Sequence, residues 1–99
     1  MVLNSQTDHE GKISTLYDST NVIASKYDPA SKKLVVIFGN GRHYLYEQVT
    51  PKTFEVFQQS PSKGSAIHSI IKTHHTVSLG NIDITHIKED INRIKNLKK

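Results

Sequence analysis

The six residues Lys33–Phe38 constrain the fold more than any other part of the sequence. They read KLVVIF, and an apolar run of this length is typical of a strand that is buried on both faces. Gly39-Asn40-Gly41 follows at once, and two glycines around an asparagine tolerate the positive φ of a tight hairpin. The pattern therefore predicts a central strand that turns back on itself.

Strand signals flank this run on both sides. Asn21–Tyr27 (NVIASKY) contains β-branched residues and ends at Asp28-Pro29, where proline pre-sets the φ of a turn. Arg42–Gln48 (RHYLYEQ) is the returning strand of the hairpin. We therefore expect a three-stranded antiparallel meander.

A short helix is predicted directly after the meander. Thr50 is a favourable N-cap, and Pro51 falls at the first helical position, where its missing N–H costs nothing. Val49 and Phe54 have the spacing of a hydrophobic staple. The helix should end near Ser60, because a proline follows.

The chain then alternates between weaker signals. Ser65 is expected to cap a second short helix that runs to Thr73, and Thr76–Leu79 to form a fourth short strand. A third, amphipathic helix is predicted from Asp83, its capping residue, to Lys99. Its isoleucines, spaced 3-4-3, form a stripe over about two heptads, which packs either on the chain's own sheet or on a second copy: Ile84, Ile87, Ile91 and Ile94. The fold class is α+β.

Charge and composition divide the chain into three parts. Residues 1–18 are polar, have a net charge of −2 and show no sustained period, so we expect a flexible arm. Residues 19–73 form the predicted domain, with a net charge of +4, and residues 74–99 form a connector and the third helix. A basic excess on the folded part suits a polyanionic partner, although it also suits a solvated surface.

The sequence lacks residues and motifs that several classes of protein function require. It has no cysteine, so a disulfide framework and a thiolate zinc site are excluded. His68, His74 and His75 lie close in sequence, but they form no H-E-x-x-H pattern and have no acid beside them, so no metal and no cofactor is expected. No order of residues suggests a catalytic triad, and we predict that the protein is not an enzyme.

The sequence also gives an expectation of location. No apolar run approaches the roughly 20 residues that span a bilayer. Residues 1–12 lack the apolar segment of a signal peptide. We therefore expect a cytoplasmic protein without membrane contact.

Three short motifs occur in a specific order. Tyr27-Asp28 closes the first predicted strand, Tyr44-Leu45-Tyr46 lies in the third, and Ser62-Lys63-Gly64 follows the first helix. In this respect residues 19–73 resemble the KTSC domain, a short module named for the C-terminus of some lysyl-tRNA synthetases and also found as a small bacterial protein. The resemblance implies a small module of bacterial or phage origin, and the synthetase connection suggests RNA binding.

The candidate RNA site is centred on the third strand. Tyr44 and Tyr46 are two apart, so they share a face with Arg42, and rings beside cations can stack unpaired bases. The same face could instead pack under the helices. The loop before the second helix can offer backbone N–H groups to a phosphate. The predicted site comprises Arg42, Tyr44, Tyr46, Lys52, Lys63, Ser65 and Lys72.

A protein-interaction or oligomerisation module is the alternative. An antiparallel meander has open edges that can accept a partner strand. The four isoleucines of the third helix could bind a partner, including a second copy in a homodimer.

Overall fold

The predicted meander is the centre of a larger sheet. A computed structural model describes residues 2–61, 63–67 and 74–97. Within them, six antiparallel strands are hydrogen-bonded in sequence order, from β1 to β6. The strands are β1 Val2–Thr7, β2 Ile13–Tyr17, β3 Val22–Asp28, β4 Lys33–Phe38, β5 Arg42–Tyr46 and β6 Thr76–Asn81. The helices are α1 Pro51–Gln59, α2 Lys63–Ala66 and α3 Thr85–Leu97. The fold is α+β.

The structure corrects the prediction of a flexible N-terminal arm. Residues 2–17 form a hairpin of β1 and β2, and β2 pairs along β3 from Ile13 opposite Tyr27 to Leu16 opposite Ala24. The carboxylate of Asp8 holds the turn, accepting hydrogen bonds from the backbone N–H of Glu10 at 2.9 Å and Lys12 at 3.0 Å. The bond from Lys12 is the main cause of a lowered pKa for Asp8.

One face of the sheet, here called the α1 face, carries the larger core. The ring of Phe54 stacks on Tyr27 with 4.4 Å between ring centroids, and Phe57 meets Tyr17 edge-to-face at 6.0 Å. The buried Tyr27 hydroxyl donates to the carbonyl of Val49 at 2.5 Å, just before the helix begins. These contacts fix where α1 crosses the sheet.

The N-terminus of α1 forms as predicted. The helix begins at Pro51, and the Thr50 side chain accepts a hydrogen bond from the Thr53 N–H at 3.2 Å. Val49 and Phe54 lie in the same buried cluster, as expected of a staple. The helix ends at Gln59, one residue before the predicted limit of Ser60.

Polar side chains form hydrogen bonds between the C-terminal end of α1 and the sheet, and between neighbouring strands beneath it. The Gln58 amide donates to Thr15 Oγ1 at 3.0 Å, and the Tyr17 hydroxyl is 2.7 Å from Ser25 Oγ. Thr15 and Ser25 are buried, so these hydrogen bonds keep polar atoms satisfied inside the core.

The opposite face of the sheet, the α3 face, packs against the C-terminal helix. Ile91 forms a second core cluster with Ile23 and Ala24 of β3. The helix begins at Thr85, and Asp83 accepts a hydrogen bond from the Thr85 N–H at 2.9 Å. The bond satisfies the first N–H of the helix, but Asp83 precedes Thr85 by two residues, so Ile84 and not the predicted Asp83 occupies the N-cap position.

Two further elements differ from their predicted bounds. The second helix begins at Lys63, so Ser65 lies inside it and is not its N-cap. Its predicted continuation to Thr73 falls largely on residues outside the described part of the chain. The fourth predicted strand exists as β6, pairs with β5 and runs two residues beyond Leu79.

Candidate nucleic-acid interface

The hairpin between β4 and β5 is held closely by its surroundings. Gly41 has φ +90°, and the Gly41 N–H donates to the carbonyl of Phe38 at 3.0 Å. A Cβ placed on Gly39 would lie 2.3 Å from the carbonyl oxygen of Thr20 in the turn between β2 and β3. The hairpin end is therefore fixed by backbone packing, and the side chains beside it have a defined position.

A small cleft of about 180 Å³ opens at this hairpin on the α1 face. It is lined by Phe38, Asn40, Arg42 and Tyr44. The two rings are edge-to-face, with 5.6 Å between centroids and an interplanar angle of 86°. Both aromatic residues are half-buried, whereas Asn40 and Arg42 are exposed. The cleft therefore combines fixed aromatic rings with polar side chains that solvent can reach.

The polar groups of the cleft are mainly hydrogen-bond donors. The Asn40 Oδ1 already accepts the Arg42 backbone N–H at 3.0 Å, which leaves the Asn40 amide nitrogen to donate. Arg42 forms no ion pair with any carboxylate of the described residues. An aromatic, donor-rich and cationic cleft is suited to an acceptor-bearing planar group or a phosphate.

Tyr46, the second tyrosine of the predicted site, lies elsewhere on the same face. It is only 5% exposed and belongs to the core cluster under α1. Burial raises its pKa. Its ring is therefore part of the core and is not placed to stack on a nucleotide base.

The predicted cations do not all converge on the cleft. Lys52 is exposed in the first turn of α1. That turn lies at the opposite end of the strands, because the Val49 N–H donates to the carbonyl of Lys32 in the turn between β3 and β4 at 2.8 Å. Lys52 and Arg42 therefore mark two ends of the α1 face.

Two of the remaining predicted site residues are part of α2. Lys63 and Ser65 belong to this helix, and Ser65 is exposed. Lys72 lies outside the described residues. The structure thus brings together Arg42 and Tyr44 of the predicted set.

Sequence reasoning missed two residues of the cleft, Phe38 and Asn40. Phe38 is the last residue of the apolar run, and that run predicts burial on both faces of the strand. The predicted hairpin nevertheless contained the signal, because Phe38 and Arg42 flank its turn and cross-strand neighbours share a face. The Gly-Asn-Gly pattern assigns Asn40 to the turn and does not indicate a binding role.

The isoleucine stripe, the predicted alternative partner surface, faces the sheet. Ile91 is buried, Ile84 and Ile87 pack against the same cluster, and Ile94 is half-buried. The stripe therefore contacts the chain's own α3 face.

The edge strand β6 is the other surface of the alternative function. All six of its residues are exposed, including Val77 at 38% and Leu79 at 42%. The Glu47 N–H donates to the carbonyl of His75, so the alternation of the ladder turns the N–H and C=O of Thr76 and Ser78 away from β5. No described strand pairs with this edge.

The described residues contain neither a metal-binding cluster nor a membrane-spanning helix. Within the part of the chain that the structure describes, no three histidine, aspartate or glutamate side chains come together to hold a metal ion. His68 of the predicted histidine group lies outside that part. None of the described helices has the length and apolar character needed to cross a bilayer.

Comparisons with known proteins agree with the arrangement of the central strands. The family model of the KTSC domain matches residues 18–75. A protein from Tsukamurella paurometabola is 34% identical over 55 residues, which are 56% of this chain and 82% of the relative. The crystal structure of a protein from Yersinia pestis, described as a KTSC domain protein, superposes with a TM-score of 0.64 at 23% identity. It covers 70% of this chain and 99% of its own.

Proposed function

The chain belongs to the KTSC domain family, and we propose that it is a small, non-catalytic module that binds single-stranded RNA through the cleft of Phe38, Asn40, Arg42 and Tyr44. The observation that carries the proposal is the joint presence, at one end of the α1 face, of two fixed rings and an arginine that has no ion-pair partner among the described residues. A nucleotide offers a planar base for the rings and a phosphate for the guanidinium.

The size of the cleft favours part of a polymer over a whole small molecule. Its volume of about 180 Å³ lies below the roughly 300–1,000 Å³ of small-molecule pockets. The net charge of +4 adds a long-range attraction for polyanions. Lys52 is exposed on the same face and offers a second positive charge to the rest of a bound RNA.

Fluorescence anisotropy of a labelled single-stranded RNA tests the proposal. Tyr44→Ala should weaken binding about 5- to 150-fold, because a stacked base contributes roughly 1–3 kcal/mol. Tyr44→Phe keeps the ring and should bind nearly as the parent does. Arg42→Gln should reduce the slope of log affinity against log salt by about 0.7, the value for one phosphate contact.

Lys88→Gln is the matched control for charge. Lys88 is exposed on α3, on the opposite face of the sheet, and this variant loses the same single positive charge as Arg42→Gln. Absence of binding at low salt, or equal losses for Arg42→Gln and Lys88→Gln, would contradict an RNA site at this cleft.

The open edge of β6 favours protein binding as a second candidate function. Its apolar side chains and outward backbone groups suit the addition of a partner strand, and none of its six residues is a lysine or proline that would block an edge. If the edge pairs with a second copy, the molar mass from light scattering should rise towards a dimer with concentration, and Val77→Lys should abolish the rise. A constant monomer mass would exclude self-pairing.

A further inference from the structure

A groove lies on the α3 face, and it is part of neither the RNA cleft nor the β6 edge. It has a volume of about 520 Å³ and lies between α3 and strands β1 to β4. The family match covers residues 18–75, so β1, β2 and α3 lie outside it. The groove thus forms where elements beyond the matched domain meet β3 and β4.

The register of the strands explains the apolar floor of the groove. Leu16, Ala24 and Ile37 are directly paired across β2, β3 and β4 and line the groove together. Alanine, the smallest of the three, occupies the middle position, so the row is depressed at its centre. Ile94 and Leu97 of α3 form the apolar wall beside it.

The next row of the sheet supplies the polar rim. Gln6, Ser14 and Lys26 are paired across β1, β2 and β3, and all three line the groove. Their side chains have no hydrogen-bond or ion-pair partner among the described residues, and Lys26 is exposed. The rim therefore offers neutral hydrogen-bonding groups and one uncompensated positive charge beside an apolar depression.

The other charges of the groove neutralise each other. Arg93 Nη2 lies 2.5 Å from Asp90 Oδ1 on the same helix. Among the residues that line the groove, Lys26 is therefore the cation that is available to a ligand. A ligand that matches the groove has one negative charge and an apolar body.

We propose that this groove binds a small amphipathic carboxylate, of the class of medium-chain fatty acids. The alkyl chain lies over Ala24 against Ile94, and the carboxylate accepts hydrogen bonds from the ammonium of Lys26 and the amide of Gln6. A volume of about 520 Å³ lies within the roughly 300–1,000 Å³ of small-molecule sites. This site is on the opposite face of the sheet from the RNA cleft, so the result of its test does not depend on whether the protein binds RNA.

Titration of the ¹⁵N-labelled full chain with sodium decanoate, followed by amide chemical shifts, tests the proposal. The amides of β2, β3 and α3 that border the groove should shift and saturate. Lys26→Gln should weaken binding about two- to fivefold, because an ion pair at an exposed site contributes up to about 1 kcal/mol. Lys52→Gln, which removes an exposed lysine on the opposite face, should leave the affinity unchanged.

A second test varies the chain length of the fatty acid and the shape of the groove. Each methylene removed should weaken binding about fourfold, so octanoate should bind more weakly than decanoate by more than tenfold. Ala24→Ile should fill the depression and weaken decanoate binding, provided that its amide spectrum shows the parent fold. If it does not fold, Lys26→Gln at an exposed site decides the question. Unshifted groove amides, or equal affinity for the parent and Lys26→Gln, would overturn the proposal.

Discussion

The four tyrosines show how strongly position decides the role of one residue type. Tyr44 and Tyr46 share a strand face, as their spacing predicts, yet Tyr46 is in the core while Tyr44 lines an open cleft. Tyr17 and Tyr27 are fully buried under α1, each with its hydroxyl hydrogen-bonded. Their identity as tyrosine and not phenylalanine therefore has a structural reason.

Replacing Tyr27 with phenylalanine should destabilise the protein by about 1–2 kcal/mol. The change removes the donor of a buried hydrogen bond and leaves the Val49 carbonyl without this partner. Urea denaturation followed by circular dichroism measures the difference. Tyr44→Phe, at a half-buried ring, is the control and should change stability by less than about 0.5 kcal/mol. Equal effects of the two changes would contradict this account of Tyr27.

Burial of Tyr17 should make the fold sensitive to alkali. Burial raises the pKa of Tyr17 from its ordinary value of 10.0 to about 12. Between these values the unfolded chain loses the proton and the folded chain keeps it, so stability is fully present below pH 10 and is lost as pH rises towards 12. The loss should approach about 1.4 kcal/mol per pH unit for this group.

Urea denaturation at several pH values between 9 and 12 measures this loss. The Tyr17→Phe variant has no proton to lose at this position, so its stability should fall less steeply over the same range. Parallel curves for the two proteins would show that Tyr17 is not responsible.

At the scale of helices and strands, short sequence patterns predicted the features that are stabilised by interactions between residues close in sequence. Local sequence patterns predicted the strand at residues 33–38, the Gly39–Gly41 turn and the N-cap of α1. The structure contains each of these features within one or two residues of the predicted position. Strands β1 and β2 were missed because six of their eleven residues are polar and their apolar residues show no sustained alternation. A strand of this kind is specified by its neighbours in the sheet.

The C-terminal helix should depend on Ile91. Ile91→Ala removes a side chain that is only 9% exposed and should cost about 2–4 kcal/mol, since truncation of a buried isoleucine leaves a cavity. Leu97, in the same helix but 78% exposed, is the matched control, and Leu97→Ala should have an effect below about 0.5 kcal/mol. Chemical denaturation compares the two. A small effect of Ile91→Ala would mean that α3 does not share the cooperative fold.

For the molecule as a whole, the sheet separates two surfaces with different chemistry. The α1 face ends in the cleft of Phe38, Asn40, Arg42 and Tyr44, whereas the α3 face carries the groove beside Lys26. Sequence reasoning found Arg42 and Tyr44 because strand alternation places them together. It could not exclude Tyr46, because burial depends on where α1 crosses the sheet, and that is set by contacts between distant residues.

The proposed RNA site is tested most directly by mapping it. The ¹⁵N-labelled protein is titrated with a short single-stranded RNA, and the shifted amides are located on the sheet. We predict the largest shifts between Phe38 and Tyr44, and their loss in Tyr44→Ala. Shifts centred on β6 or α3, or no shifts at low salt, would contradict the proposal that this hairpin binds RNA.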